Sequence, residues 1–359
     1  MSRPAIAHIR LDAFRHNYRV AKQTHGGKSL AVIKANAYGH GAVQCAKAIE
    51  SEADGFAVAC LDEALQLRQA DIKNPILLLE GFFEAVELPE IVSNELWVVL
   101  HAQWQIDILL ATKLAKPVQV WLKLDSGMHR LGLPTTEYAS AYARLNGHAN
   151  VAKIVLMSHF ANADNLNSQN TTRQFEVFKK SVSSLNSPDY LADFSLANSA
   201  AILGWQAAAG NWSRPGIMLY GADPLMAADT KLRAVMQLSS KIISICRIKK
   251  GESIGYGSIF TAQHDSVVGV VACGYADGYP RSAINAPSAV DGVITKLIGR
   301  VSMDMLFIDL TDIPTAKIGS TVELWGDQVL ANDVAKAAGT IAYELFCNVK
   351  RVHFKYSDS

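Results

Sequence analysis

Eight short apolar runs recur through the first two thirds of the chain, each separated from the next by a stretch of helical character. This alternation limits the fold more than any other feature of the sequence. The runs are Leu30–Ile33, Gly55–Ala59, Ile76–Leu79, Leu96–Leu100, Val118–Leu124, Lys153–Met157, Asp193–Leu196 and Gly216–Leu219. They are short and bounded by turn residues, so they read as buried strands. Between them lie stretches such as 61–70, with Leu61, Ala64, Leu65 and Leu67 near one face, and 172–180, where Phe175 and Phe178 share a face. Strands that alternate with helices pair in parallel through right-handed crossovers. Eight such units point to a closed (β/α)8 barrel, with a doubly wound open sheet as the alternative on pattern alone.

The pattern changes after Pro224. From Lys231 onward, strand-like runs at 237–248, 266–273, 289–298, 305–310 and 321–325 are separated by glycine-bearing turns, Asp291-Gly292 among them. One helix-like stretch, 331–339, interrupts them, with Asn332 or Asp333 as its expected cap. The expected organisation is an α/β chain: a TIM-type (β/α)8 barrel over residues 1–230, then a mainly-β domain over 231–359. The first ten or so residues are candidates for pairing with the β-domain.

Composition narrows the function. The 359 residues carry a formal net charge of +1 with no basic run, which argues against a nucleic-acid partner. No stretch reaches the length of a membrane span, and the amino terminus lacks the apolar core of a signal peptide. Cys45, Cys60, Cys246, Cys273 and Cys347 are scattered with no Cys-x-x-Cys pair, so neither a zinc site nor a disulfide framework is expected. These features point to a cytoplasmic protein without a structural metal.

The residues just past each strand bear on chemistry, because catalytic groups of such barrels sit at the carboxyl ends of the strands. Lys34 ends the first run and is followed by Tyr38. Burial there disfavours the ammonium form and leaves an amine able to form a Schiff base with a carbonyl cofactor. Lys123 lies in the fifth run, which leads into 125–132 and Arg130; His159 follows the sixth; Asn198 and Ser199 follow the seventh; Arg214 precedes the eighth, which begins at Gly216 and Ile217. Each has an ordinary reading: His159 as a hydrogen-bonded core histidine, Asn198-Ser199 as a turn or a helix cap, Arg214 as a solvated residue. Their clustering at one end is the pattern of a site.

Residues 32–41 (VIKANAYGHG) resemble the pyridoxal phosphate (PLP) attachment signature of the alanine racemase family. Residues 123–132, 158–161, 197–199, 214–217, 274–278 (GYADG) and 299–304 (GRVSMD) are similar to further motifs of that family, in its order and across essentially the whole chain. The resemblance implies interconversion of L-alanine and D-alanine by two bases, supplying D-alanine for peptidoglycan or feeding its catabolism. It implies that Lys34 binds PLP and acts as the base for D-alanine, and that Tyr275 is the opposite-face base for L-alanine. A free tyrosine has a pKa near ~10, so neighbours must lower it, with His159 as the implied partner. Arg214 is implied to donate to the PLP ring nitrogen. Tyr38, His159, Asn198, Ser199, Gly216, Ile217 and Tyr343 are implied cofactor contacts. Arg130 and the Met303 amide are implied to hold the substrate carboxylate; Lys123, in carbamylated form, is implied to position Arg130, and Asp304 to order its side of the site. The implied functional unit is a homodimer in which the β-domain of each subunit closes the other's active site. Competing readings are a non-catalytic PLP carrier, which would lack the domain bearing Tyr275; a decarboxylase of the same fold group, which would place an acid where Arg214 stands; and a broad-specificity racemase, commonly exported.

Overall fold

A computed structural model describes residues 3–185, 193–227 and 230–358. Eight parallel strands close into a barrel: Lys28–Val32, Gly55–Val58, Ile76–Leu78, Trp97–Leu100, Val118–Lys123, Val151–Met157, Phe194–Ser195 and Trp212–Ser213. The closing pair joins the first strand to the last, with Lys28 opposite Trp212 and Ser29 opposite Ser213. Toward their carboxyl ends the strands are buried on both faces, as barrel strands covered by helices must be, while Lys28, Ala152 and Lys153 at their entry ends are exposed. Leu61–Gln69 illustrates the covering layer: Ala64 and Leu67 are fully buried on its inner face. Each large apolar side chain removed from water in this way contributes about 1.5–3 kcal/mol.

Seven of the expected strands match in place, and the eighth does not. Residues 217–220 form a 3-10 turn, Ile217–Tyr220, and the closing strand is the two-residue Trp212–Ser213 just before it. The Ser199 hydroxyl accepts hydrogen bonds from the Gly216 amide at 2.9 Å and the Met218 amide at 3.3 Å, which curls this apolar run out of the sheet. Trp212 secures the short strand, packing edge-on against Trp97 and Trp121 with ring centres 5.6 and 5.7 Å away. Arg214 therefore follows the eighth strand, at the carboxyl end with the other site residues, rather than preceding it.

The C-terminal region is an eight-stranded sheet in the order Ser266–Val271, Leu306–Asp309, Val293–Ile298, Pro287–Val290, Thr321–Trp325, Met236–Ile248, Ile6–Arg10, His353–Ser357. The long strand Met236–Ile248 also pairs with Ser266–Val271 across a bulge between Ile242 and Ser244, closing six of the strands into a ring. The run expected over 289–298 is two strands joined at Asp291-Gly292. Ile6–Arg10 belongs to this sheet, parallel to His353–Ser357 and antiparallel to Met236–Ile248. Two helices, Ala331–Ala338 and Ala342–Asn348, replace the single one expected. The first has Leu330 at its cap position with no side-chain cap, and Asn332 Nδ2 donates instead to the Asp223 carbonyl at 2.8 Å. The second packs on the barrel so closely that a Cβ at Gly39 would collide with the Phe346 carbonyl.

Candidate active site

Lys34 leaves the first barrel strand into an unusual backbone. Ala35, Asn36, Ala37 and Tyr38 all adopt left-handed conformation, with φ between 47° and 53°. For L-residues this costs roughly 1–2 kcal/mol each, so surrounding groups must impose it. Glu63 accepts from the Ala35 amide at 2.6 Å and from the Ala59 amide at 2.7 Å, tying the turn to the next strand. Asn36 Oδ1 accepts from the Ala42 amide at 2.9 Å. His40, wholly buried, lies with Nδ1 3.1 and 3.0 Å from the carbonyls of Ala37 and Tyr38, and its ring packs on Tyr220 and Phe346. Burial lowers the His40 pKa to about 4, so the ring is neutral and its Nδ1–H clamps both carbonyls. The turn holds the Tyr38 ring edge-on to Tyr220 and to Tyr343, at 4.8 and 5.6 Å.

A cavity of about 900 Å³ opens at the carboxyl ends of the barrel strands. Lys34, Tyr38, Lys123, Arg130, His159, Asn198, Ser199, Arg214, Gly216, Ile217 and Tyr343 all line it. Lys34 is only partly buried, at the mouth rather than in the interior, and Arg130 is exposed at the rim. Tyr343 is carried in by the unexpected helix Ala342–Asn348. Asn198 caps the helix Ser199–Gly204, its Oδ1 accepting from the Ala201 amide at 3.0 Å, so the ordinary capping reading of that residue describes its side chain.

The charges in this cavity are mostly of one sign where the chemistry gathers. Arg214 is buried, with its Nη atoms donating to the Ser195 hydroxyl, to the Ser158 carbonyl at 2.7 Å and to His159 Nδ1 at 3.3 Å. Because an arginine only donates, His159 Nδ1 is the acceptor and Nε2 carries the proton. Burial first, then Arg214, Lys123, Arg130 and Lys34, hold His159 well below the usual histidine range. Lys123, also buried, is pulled down to about 8 by burial and then by Arg214, Arg130 and Lys34. None of Lys34, Lys123, Arg130 and Arg214 makes a salt bridge among the described residues. Four cationic groups without a paired anion suit a ligand that brings its own negative charge, as a phosphate or a carboxylate does. At Gly216 a Cβ would stand 2.9 Å from Tyr38 Oη, so the missing side chain keeps the space beside that hydroxyl open to such a ligand.

Tyr275, Met303 and Asp304 do not line this cavity in their own chain. They lie together on the C-terminal domain, where Tyr275 is 37% and Met303 54% exposed. The Tyr275 amide donates to the Ser302 carbonyl at 3.1 Å and the Ala276 amide to the Met303 carbonyl at 3.0 Å. A Cβ at Gly274 would collide with the Met303 carbonyl, which is why glycine stands there. Glu63 and His40 are supporting residues to which sequence reasoning assigned no role. His40 lay inside a recognised motif, whereas no local pattern marks Glu63.

Comparison with known proteins agrees with this architecture. The family model for the alanine racemase N-terminal domain matches residues 9–224, and that for the alanine racemase C-terminal domain matches residues 235–356. The chain is 56% identical over 358 residues to a catabolic alanine racemase of Pseudomonas putida, covering 99% of each. Among solved structures, it is similar to the biosynthetic alanine racemase of Pseudomonas aeruginosa, with 46% identity, a TM-score of 0.94 and 99% of each chain covered. It is also similar to the Bartonella henselae alanine racemase with covalently bound pyridoxal phosphate, with 29% identity, a TM-score of 0.88 and 99% of each chain covered.

Proposed function

The chain belongs to the alanine racemase family, and from that premise we propose how its own residues interconvert L-alanine and D-alanine. The observation that carries the reading is the set of unpaired cationic groups converging on one cavity around Lys34. Pyridoxal 5′-phosphate, when bound, would supply the electron sink that makes the substrate's α-proton acidic. Lys34 would hold it covalently. Tyr38, Ser199, Gly216, Ile217 and Tyr343 would hold its phosphate, with Asn198 keeping the Ser199 turn in place. Arg214 would face its ring nitrogen; a guanidinium does not readily give up a proton, which weakens the sink and restrains side reactions.

Two bases then work on opposite faces of Cα. Lys34 Nζ takes the proton from D-alanine or returns it, and Tyr275 Oη does the same for L-alanine. Tyr275 and Met303 are exposed and stand apart from their own chain's cavity, which supports a homodimer in which each subunit completes the other's site. In that arrangement His159 Nε2–H is free to donate to the phenolate of Tyr275 of the partner subunit. Arg214 behind His159 keeps that imidazole neutral and correctly oriented. Arg130 and the Met303 amide steady the substrate carboxylate. A lysine near pKa 8 offers much neutral amine at neutral to mildly basic pH. Carbamylated Lys123 would replace a like charge beside Arg130 with an opposite one. Asp304 orders the Met303 loop.

The enantiomers of alanine are equal in energy, so the direction of flux is set by what consumes the product. Peptidoglycan synthesis and D-alanine oxidation are therefore served by the same site. We take residues 1–230 as the barrel unit, apart from Ile6–Arg10, which pairs with the β-unit, 231–359 as the β-unit, and the cytoplasm as the compartment. The five free thiols support a reducing environment, and no helix among the described residues is long and apolar enough to cross a membrane. The test is Lys34→Ala: visible Schiff-base absorbance and racemisation should both disappear, and retained turnover would overturn the assignment.

A further inference from the structure

The two ends of the chain meet behind Tyr275. Ile6–Arg10 and His353–Ser357 are parallel neighbours in register, Ile6 opposite His353, so the residues just before each strand emerge side by side. Arg3 comes from one and Arg351 from the other. Arg3 Nη2 lies 2.6 Å from Oδ2 of Asp277, a carboxylate with no solvent exposure, and also donates to the Asp304 carbonyl at 3.1 Å. Arg351 Nη2 reaches Asp304 Oδ1 at 3.0 Å, and its Nε stands 4.0 Å from Asp277 Oδ1. Asp277 in turn accepts from the Gly274 amide at 3.0 Å, and its carbonyl accepts from the Lys350 amide at 3.0 Å. Asp277 lies two residues beyond Tyr275, in the short turn Tyr275–Asp277, and Asp304 follows Met303.

We propose that Arg3 and Arg351 are positioning residues for Tyr275: through Asp277 and Asp304 they lock the turn bearing Tyr275 to the loop bearing Met303. The proposal rests on the reading of Tyr275 as the base for L-alanine. A base must meet its proton at hydrogen-bond distance, and small displacements are costly in rate. The Tyr275 side chain is exposed, so its placement depends on the backbone beneath it. That backbone is fixed by the Ser302 and Met303 carbonyls on one side and by the Asp277 carboxylate on the other. Without Arg3, Asp277 is a buried carboxylate whose nearest remaining cation stands 4.0 Å away, and the turn shifts to hydrate it. The cofactor cavity, formed by other residues, is left intact.

The experiment follows exchange of the α-proton for deuterium in D₂O, separately from L-alanine and D-alanine, in PLP-loaded wild type, R3M, R3K, R3M/D277N and Y275F. Cofactor absorbance and Tm are recorded alongside. R3M should slow exchange from L-alanine by roughly tenfold to a hundredfold and leave exchange from D-alanine within about twofold. Cofactor absorbance should be unchanged, and R3K should recover part of the loss. Equal slowing with both enantiomers, or no slowing with either, overturns the proposal. R3M/D277N removes the buried charge together with its partner and covers the case in which R3M does not fold. The same asymmetry there upholds the proposal, and its absence overturns it. Y275F separates the premise from the inference. If Y275F shows no asymmetry, the assignment of Tyr275 falls; if Y275F shows it and the Arg3 variants do not, only the positioning role falls.

Discussion

Acid should loosen this protein through His40 before its carboxylates begin to titrate, and the size of that effect follows from the structure. His40 is wholly buried; Nδ1 faces the Ala37 and Tyr38 carbonyls, and Nε2 has no hydrogen-bond partner among the described residues. Protonation would create a second N–H with nothing to receive it, which is why burial lowers the pKa to about 4. The unfolded chain, with its histidine near ~6.5, binds more protons than the native state between the two values, so stability rises with pH across that window. The contribution is fully present above about 6.5 and is lost as pH falls toward 4. At about 1.36 kcal/mol per unit the whole window is worth about 3 kcal/mol, and the step from pH 7 to pH 5 about 2 kcal/mol. His25, His101 and His159 are also lowered by burial and steepen the wild-type profile, so the reading is a difference between proteins. The comparison is wild type against His40→Gln, unfolded by urea at pH 7 and pH 5 at one protein concentration. Wild type should lose about 2 kcal/mol more than the variant over that step. Parallel losses would refute the reasoning, because they would mean that His40 is not held neutral in the fold. The cofactor signal should fade with the same pH profile, since the left-handed turn carries Tyr38.

Two further outcomes follow from the cavity. Gly216→Ala places a methyl 2.9 Å from Tyr38 Oη in a buried wall; PLP affinity should fall by roughly tenfold or more while far-ultraviolet circular dichroism is unchanged, and undiminished affinity in cofactor titration would count against the phosphate cradle. Lys123, at about 8, should take up labelled bicarbonate as a carbamate increasingly from pH 6.5 to pH 8.5, as its neutral amine grows. A ¹³C signal that Lys123→Ala removes would establish the modification, and a wild-type spectrum without it would exclude a carbamate.

The sequence carried the barrel because each βα unit announces itself locally. Apolar runs such as 118–124, and amphipathic stretches such as 61–70, keep their periods whatever surrounds them. It also put Lys34, Lys123, His159, Asn198 and Ser199 at strand ends, which gather at one face of any such barrel, whereas Tyr343 reaches that face from the helix Ala342–Asn348. Tertiary contacts decided the rest. An apolar run at 216–219 has no period to distinguish strand from turn, and the Ser199 hydroxyl settled it as a 3-10 turn. Trp212–Ser213 is too short to show a pattern and is a strand only because Lys28 and Ser29 lie beside it. The left-handed run after Lys34 contradicts the local preference of Ala35, Ala37 and Tyr38, and it stands because Glu63, Asn36 and His40 supply its hydrogen bonds. The ion pair of Arg3 with Asp277 joins groups 274 residues apart in the chain. Local sequence sets which residues face a strand end, but an ion pair such as Arg3–Asp277 exists only once the sheet has brought the start of the chain beside the Tyr275 turn.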